Sequence, residues 1–285
     1  MTEPRYPYVH VDAKAEEVEL FSAELFALGA AGVEERDATT LLQAEGGDST
    51  LVASFADEAS AVRALEAFAD RGASLHFVEG DDWADAWREY FHPMRIGERL
   101  LLRPSFREVS PEPDVVVLTI DPGRAFGSGI HETTRLVLRE VEARVRGGER
   151  VLDVGCGSGV LSVAALLLGA EHATCVDVDA AAVEVSLENA RLNGVEERLD
   201  ASTTDVRELA GAYPLVLANI QSVILIGMAD ALMARVAPGG CLVLSGILVE
   251  QERETLAAFT GLEHVGTQRE GEWLAPVLIR PRDDA

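Results

Sequence analysis

The stretch VLDVGCGSGVLSVAALLLGA, Val151 to Ala170, constrains the fold more than any other part of the chain. An apolar β-branched run enters Gly155, Gly157 and Gly159 and leaves as a helical pattern. The next apolar run, HATCVDVD, carries Asp177 at its end. Strand, glycine turn, helix, strand and terminal acid in this order build a crossover in a parallel sheet. Glycines at such a turn let the backbone come close to a ligand, with helix N–H groups directed at it. A carboxylate at the end of the following strand accepts hydrogen bonds from ribose hydroxyls. The stretch therefore predicts a nucleoside site on Gly155, Gly157 and Asp177.

The spacing is GxGxG rather than the GxGxxG of dinucleotide folds, and Asp153 precedes it. An acid beside the ligand would repel a pyrophosphate and attract an amino or cationic group. S-adenosylmethionine carries both a sulfonium and an α-amino group, so the loop favours it, with NAD as the alternative. The rest of this half agrees. RLLLRPSF, DVVVLTID, RVLDVG, HATCVDVD, LVLANI and CLVLSGI are strand candidates, interleaved with amphipathic helices from SGVLSVAALLLGA onward. Such alternation predicts a parallel sheet covered on both faces. The closing GLEHVGTQREGEWLAPVLIRP predicts a strand pair with one antiparallel member.

The first eighty residues have a different pattern, strand-helix-strands-helix-strand. The strand candidates are YPYVHVDA, GVEERD, TTLLQAEG, STLVASFA and ASLHFVEG, and the helices are AEEVELFSAELFALGA and EASAVRALEAFADRG. Val18, Phe21, Leu25 and Leu28 share one helical face, and Gly72 follows the second helix. This order predicts a ferredoxin-like α+β domain over 1–80, without a catalytic constellation. DDWADAWREYFHP predicts a connecting helix over 81–93, capped by Asp82 and stopped by Pro93. Its Trp83, Trp87, Tyr90 and Phe91 pack against a neighbouring domain or touch a substrate. The α/β domain then occupies 94–285.

A second glycine loop, DPGRAFGSGIHETT, precedes the first by one helix. His131 and Glu132 suggest a zinc HExxH, but Arg135 occupies the place of the second histidine. The aromatic Phe126 before the flexible Gly127 and Gly129, with Thr133 and Thr134 at a helix start, suits a lid over a cationic methyl donor. It equally suits a capped helix after a tight turn.

Charge and cysteines bound the partners. The formal net charge of −25 argues against direct nucleic-acid binding, which needs clustered Lys and Arg. It fits steering of a basic partner, or an acidic surface suited to a salty cytoplasm; Lys14 is the only lysine. Cys156, Cys175 and Cys241 form no CxxC pair and predict reduced core thiols in a cytoplasmic protein. Neither a secretory signal nor a membrane-length apolar run of about 18 residues is visible.

DPGRAFGSGIHETTR, VLDVGCGSGVLSVAALLLGA, CVDVDAAAVEVSLENARLNGV, LVLANI and PGGCLVLSGIL together resemble the PrmA-type methyltransferases. DWADAWREYFHPMRIGERLLLRPSF and EWLAPVLI extend the resemblance over nearly the whole chain. It implies a ferredoxin-like recognition domain, a connecting helix and a class I (Rossmann-like) S-adenosylmethionine-dependent methyltransferase domain. The implied substrate is large-subunit ribosomal protein eleven, methylated on lysine ε-amino groups and on its N-terminal α-amino group, by a monomer. Carried over by position, the cofactor contacts fall on Thr134, Gly155, Asp177 and Asn219, and Phe126 matches the aromatic of a mobile loop over the cofactor. Ser128 departs from the usual threonine but keeps the hydroxyl, and Ile130 stands where a threonine or another residue is common. Asn219 ends LVLANI where the acceptor would meet the methyl, as an orienting group or as the cap of the next helix. Other acceptors, or a pure binding role for the first domain, are the alternatives.

Overall fold

The computed structural model describes residues 5–14, 17–36, 49–55, 57–79, 92–110, 112–121 and 131–282. The chain divides into two compact units, Met1–Tyr90 and Phe91–Ala285.

In the first unit, β1 (Arg5–Ala13), α1 (Val18–Ala27), β2 (Ala30–Arg36), β3 (Ser49–Phe55), α2 (Glu58–Ala67) and β4 (Ser74–Glu79) follow in order. The sheet runs β2-β3-β1-β4 with every pair antiparallel, the ferredoxin-like arrangement. Alternate residues Val9, Val11, Leu51 and Ala53 are buried against Phe21 and Leu25 of α1 and Ala61 and Ala64 of α2. Val18 and Leu28 complete the predicted helical face, partly buried. The Asp57 side chain caps α2 by accepting from the Ser60 N–H at 2.8 Å, a bond that lowers its pKa. Gly72, beyond a short 3₁₀ turn, takes φ +68°, the left-handed conformation that ends helices. The strand expected at TTLLQAEG lies outside the described residues, as does the connecting helix apart from His92 and Pro93.

The second unit begins with β5 (Met94–Arg95), β6 (Leu100–Pro104) and β7 (Val116–Ile120). These make a small sheet of their own, with β6 and β7 parallel. RLLLRPSF and DVVVLTID therefore do not join the main sheet as expected. Their apolar side chains (Leu100, Leu102, Leu118, Ile120) fill the core beside the helices instead.

The main sheet is built from α3 (Glu132–Arg144), β8 (Arg150–Val154), α4 (Val160–Leu167), β9 (His172–Val176), α5 (Ala180–Leu192) and β10 (Leu199–Ser202), followed by β11 (Tyr213–Asn219), α6 (Ser222–Arg235), β12 (Val236–Ser245), β13 (Ile247–Leu248), α7 (Glu252–Ala257), β14 (Glu263–Glu270) and β15 (Trp273–Ile279). Its order is β10-β9-β8-β11-β12-β15-β13, with β14 on β15. β8 to β12 are parallel, and β15 runs antiparallel to both β12 and β14, the finish expected from the last run of sequence. Successive residues of one strand feed opposite cores. Leu215 and Leu217 of β11 join the core that includes Leu138, Leu161 and Ala190. Val216 and Ala218 join Leu225, Leu232 and Phe259 of the other. The strand order reverses between β8 and β11, so a crevice opens outside their carboxyl ends, where open α/β sheets bind ligands. Among the described residues, no helix is long and apolar enough to cross a membrane.

Candidate cofactor and acceptor site

A cleft of about 1330 Å³ occupies that crevice. Thr134, Gly155, Gly157, Asp177 and Asn219 all line it. They come from α3, the turns after β8 and β9, and the end of β11, so five sequence candidates meet at one place. Phe126 lies outside the described residues.

The turn after β8 favours glycine at three left-handed positions. Gly155, Gly157 and Gly159 have φ of +73°, +53° and +73°. A Cβ on Gly155 would lie 2.4 Å from Cγ2 of Ile220, and one on Gly159 would lie 2.9 Å from the Ser186 side chain. Ile220 is also closed in from the other side, because a Cβ on Gly246 (φ +79°) would lie 2.4 Å from the Ile220 carbonyl oxygen. Alanine should therefore act differently at these two glycines. At Gly155 a side-chain methyl can give way, leaving about 1–2 kcal/mol of left-handed strain. At Gly246 backbone must move as well, for a total of about 3 kcal/mol. Chemical denaturation of Gly155→Ala and Gly246→Ala checks this; equal losses would show that Ile220 is not pinned.

The loop offers no row of free donors. The N–H groups of Gly155 and Cys156 both go to the Val176 carbonyl (2.8 and 3.2 Å), that of Gly157 to Oδ2 of Asp177 (2.9 Å) and that of Gly159 to the Cys156 carbonyl (2.8 Å). These turn amides are therefore bonded within the protein. A pyrophosphate needs such donors, so the loop suits a nucleoside without phosphate. Asp177 also accepts from the Asp179 N–H at 3.0 Å. Each carboxylate oxygen has a second lone pair, which leaves Asp177 acceptors for ribose hydroxyls.

Asp153 needs a correction, since it does not line the cleft. Leu152 and Val154 of β8 point to one core, so the side chain between them points to the other, beneath α4. There Asp153 is fully buried, with Oδ2 accepting from Ser162 Oγ at 2.9 Å and no hydrogen-bond partner at Oδ1. Burial pushes its pKa up to about 7, against the opposing Ser162 bonds and with help from Asp177. Because the folded state holds this proton more tightly, its stabilisation is complete below the ordinary value of 3.8 and lost as pH rises through about 7. Relative to Asp153→Asn, wild type should lose about 4 kcal/mol between acid and alkaline pH. Denaturant midpoints across that range test it, and parallel pH profiles would refute the buried proton.

At the end of β11, Asn219 Nδ2 donates to Thr134 Oγ1 at 3.3 Å, with Thr134 only 2% exposed. Asn219 ends β11 and does not cap the next helix, whose N-cap is Gln221. The cap of α3 is His131, whose Nδ1 accepts from the Thr133 N–H at 3.3 Å, while Arg135 is paired with Glu132 and Glu270. No cluster of three metal-ligating side chains occurs among the described residues. The His131 ring stands edge-on to Trp273, 5.1 Å between centroids, and both line the cleft.

The sequence reading missed the apolar rim. Val178, directly after Asp177, is 98% exposed, and Val223 at the start of α6 is 76% exposed. Both line the cleft. Val178 was discernible as the apolar residue after the strand-ending acid; Val223 looked like any helical apolar residue.

Comparison with known proteins agrees with this architecture. The family model described as Ribosomal protein L11 methyltransferase (PrmA) matches residues 5–280. A ribosomal protein L11 methyltransferase from Sorangium cellulosum (strain So ce56) is 45% identical over 279 residues, 93% of this chain and 88% of that one. Another, from Geobacter sp. (strain M21), is 47% identical over 210 residues, 72% of this chain and 69% of that one. The crystal structure of a ribosomal protein L11 methylase from Lactobacillus delbrueckii subsp. bulgaricus aligns at a TM-score of 0.63 and 28% identity, over 67% of this chain and 100% of that one. The chain, with its nucleoside cleft and antiparallel finishing strand, belongs to the ribosomal protein L11 methyltransferase family.

Proposed function

We propose that this protein transfers methyl groups from S-adenosylmethionine to lysine ε-amino groups and an N-terminal α-amino group of ribosomal protein L11. The observation that carries the proposal is the cleft at the switch point, where the glycine turn after β8 and the Asp177 carboxylate at the end of β9 meet, joined by the Gly157 N–H. In this reading Asp177 holds the ribose, and Gly155 and Gly157 admit the donor against bare backbone. Val178 offers an apolar face to the base. Thr134 and Asn219 stand on the acceptor side.

When bound, S-adenosylmethionine supplies a sulfonium-activated methyl, so the amine nitrogen bonds to carbon as the carbon–sulfur bond breaks in line. The chain's own task is to deliver a neutral amine. A lysine of pKa about 10.4 costs roughly 4–5 kcal/mol to deprotonate at neutral pH. An apolar rim of Val223 and Ile224, just after Asn219, disfavours the ammonium by desolvation, and the proton leaves to solvent. The Asn219 side-chain oxygen then orients the amine, and alignment supplies much of the remaining acceleration. The first unit grips the ribosomal protein.

Incubating the protein with purified L11 and S-adenosylmethionine, then reading intact and peptide masses, tests this. Added methyls on lysine and α-amine peptides are expected. An unmodified L11 with a bound donor would point to another acceptor.

A further inference from the structure

Helix α5 buries polar side chains where an amphipathic helix would place apolar ones. Ser186 and Asn189 are 0% and 1% exposed, one turn apart on the face towards the glycine loop. Both donate to loop carbonyls: Ser186 Oγ to Gly157 O at 2.9 Å, and Asn189 Nδ2 to Ser158 O at 2.9 Å. The helix and loop leave no room for a side chain here, since a Cβ added at Gly159 would lie 2.9 Å from the Ser186 side chain. The other end of the Asn189 amide accepts the Asp121 N–H at 3.0 Å, just beyond β7. One turn further, Asn193 bonds both the N–H and the carbonyl of Thr119 in β7, and makes no bond to the glycine loop.

The consequence follows from chain entropy. A turn with three glycines is the most permissive backbone available, and each glycine loses more freedom on ordering than any other residue. Its N–H groups are held by Val176, Cys156 and Asp177, but those bonds leave the Gly157–Ser158 carbonyls to be fixed from elsewhere. A buried amide with both ends satisfied has one orientation, since rotating it would oppose donor to donor and acceptor to acceptor. Asn189 therefore ties the glycine loop to the exit of β7.

We propose that Asn189 is a positioning residue for the methyl donor: it never touches the donor, yet holds the glycine loop in the donor-binding shape through the Ser158 carbonyl, braced on the Asp121 N–H. This rests on the reading that the loop from Gly155 to Gly159 holds S-adenosylmethionine.

The test uses the full chain, S-adenosylhomocysteine as calorimetric probe and thermal unfolding in parallel. Asn189→Asp keeps an oxygen for Asp121 but sets another against Ser158 O; Asn189→Ala removes both bonds. Each should weaken probe binding about tenfold, the equivalent of one lost buried hydrogen bond. The KM for S-adenosylmethionine should rise with it, with kcat at saturation within about twofold. Asn193→Ala loses two bonds to β7 and should lower the melting temperature at least as much, while leaving probe affinity within about twofold. Wild-type affinity in Asn189→Asp, or an equal loss of affinity in Asn193→Ala, would overturn the proposal and leave α5 a purely structural seam. Should wild type itself fail to bind the probe, the donor-site reading fails and this proposal with it.

Discussion

Replacing Asp177 by alanine should weaken S-adenosylhomocysteine binding at least about 100-fold. Two ribose hydroxyls donating to one carboxylate contribute about 1.5–3 kcal/mol each. The same side chain also accepts the Gly157 and Asp179 N–H groups, at 2.9 and 3.0 Å. Its removal therefore loosens the loop as well as deleting the ribose contact. The two effects separate by measurement. Losing these charge-assisted brace bonds costs about 1.5–3 kcal/mol apiece, which for a unit of this size lowers the melting temperature by on the order of 10 °C. Asp177→Asn retains the shape and one acceptor oxygen but turns an N–H₂ towards a backbone N–H. It should fall between wild type and alanine in affinity. Calorimetry showing full affinity in Asp177→Ala, alongside a lower melting temperature, would reduce Asp177 to a loop brace.

The parts legible in the sequence are those where a local pattern and a global role coincide. Gly155, Gly157 and Asp177 could be read because left-handed turns and strand-ending acids are written in residue type. The antiparallel finish was legible because no helix fits between the runs that become β14 and β15. Parallel alternation misled at β6 and β7: their runs are as apolar as central strands, but they fill a core beside the sheet rather than extend it. The edge strand β10 was missed because only Leu199 of its four residues is buried, leaving no apolar run to see. α7, with Thr255 its only buried residue, was missed for the same reason. Asp153 was misplaced because a strand's period of two, not its distance from the glycines, decides which face a side chain joins. The Asn219–Thr134 contact joins residues far apart in sequence, and only the family resemblance pointed to both.

A truncated protein beginning at Asp81 should still bind S-adenosylhomocysteine within about twofold of the full chain, yet methylate L11 about 10²–10³ times more slowly in kcat/KM. The first half of this follows from where the site lies. Every described residue lining the cleft is between His131 and Trp273, inside the unit Phe91–Ala285. That unit has two apolar cores of its own, built on the two faces of the main sheet. The second half follows from the kind of substrate. A folded protein must present one amine at a time to the acceptor side, and positioned reactants avoid an entropic loss of up to about 7–11 kcal/mol. A recognition unit that supplies about 3–4 kcal/mol of this accounts for the expected loss. The first unit has the form for such a role: a four-stranded sheet over an apolar core of Val9, Leu25, Leu51 and Phe68, and no chemistry assigned to it. Charge adds a further signature. With a net charge of −25 and a Debye length of about 10 Å at 0.1 M salt, association of the full chain with a basic partner should slow as salt rises. Circular dichroism must first show that the truncation is folded. A folded truncation that methylates L11 at the full-length rate would remove recognition from the first unit and place it on the methyltransferase domain itself.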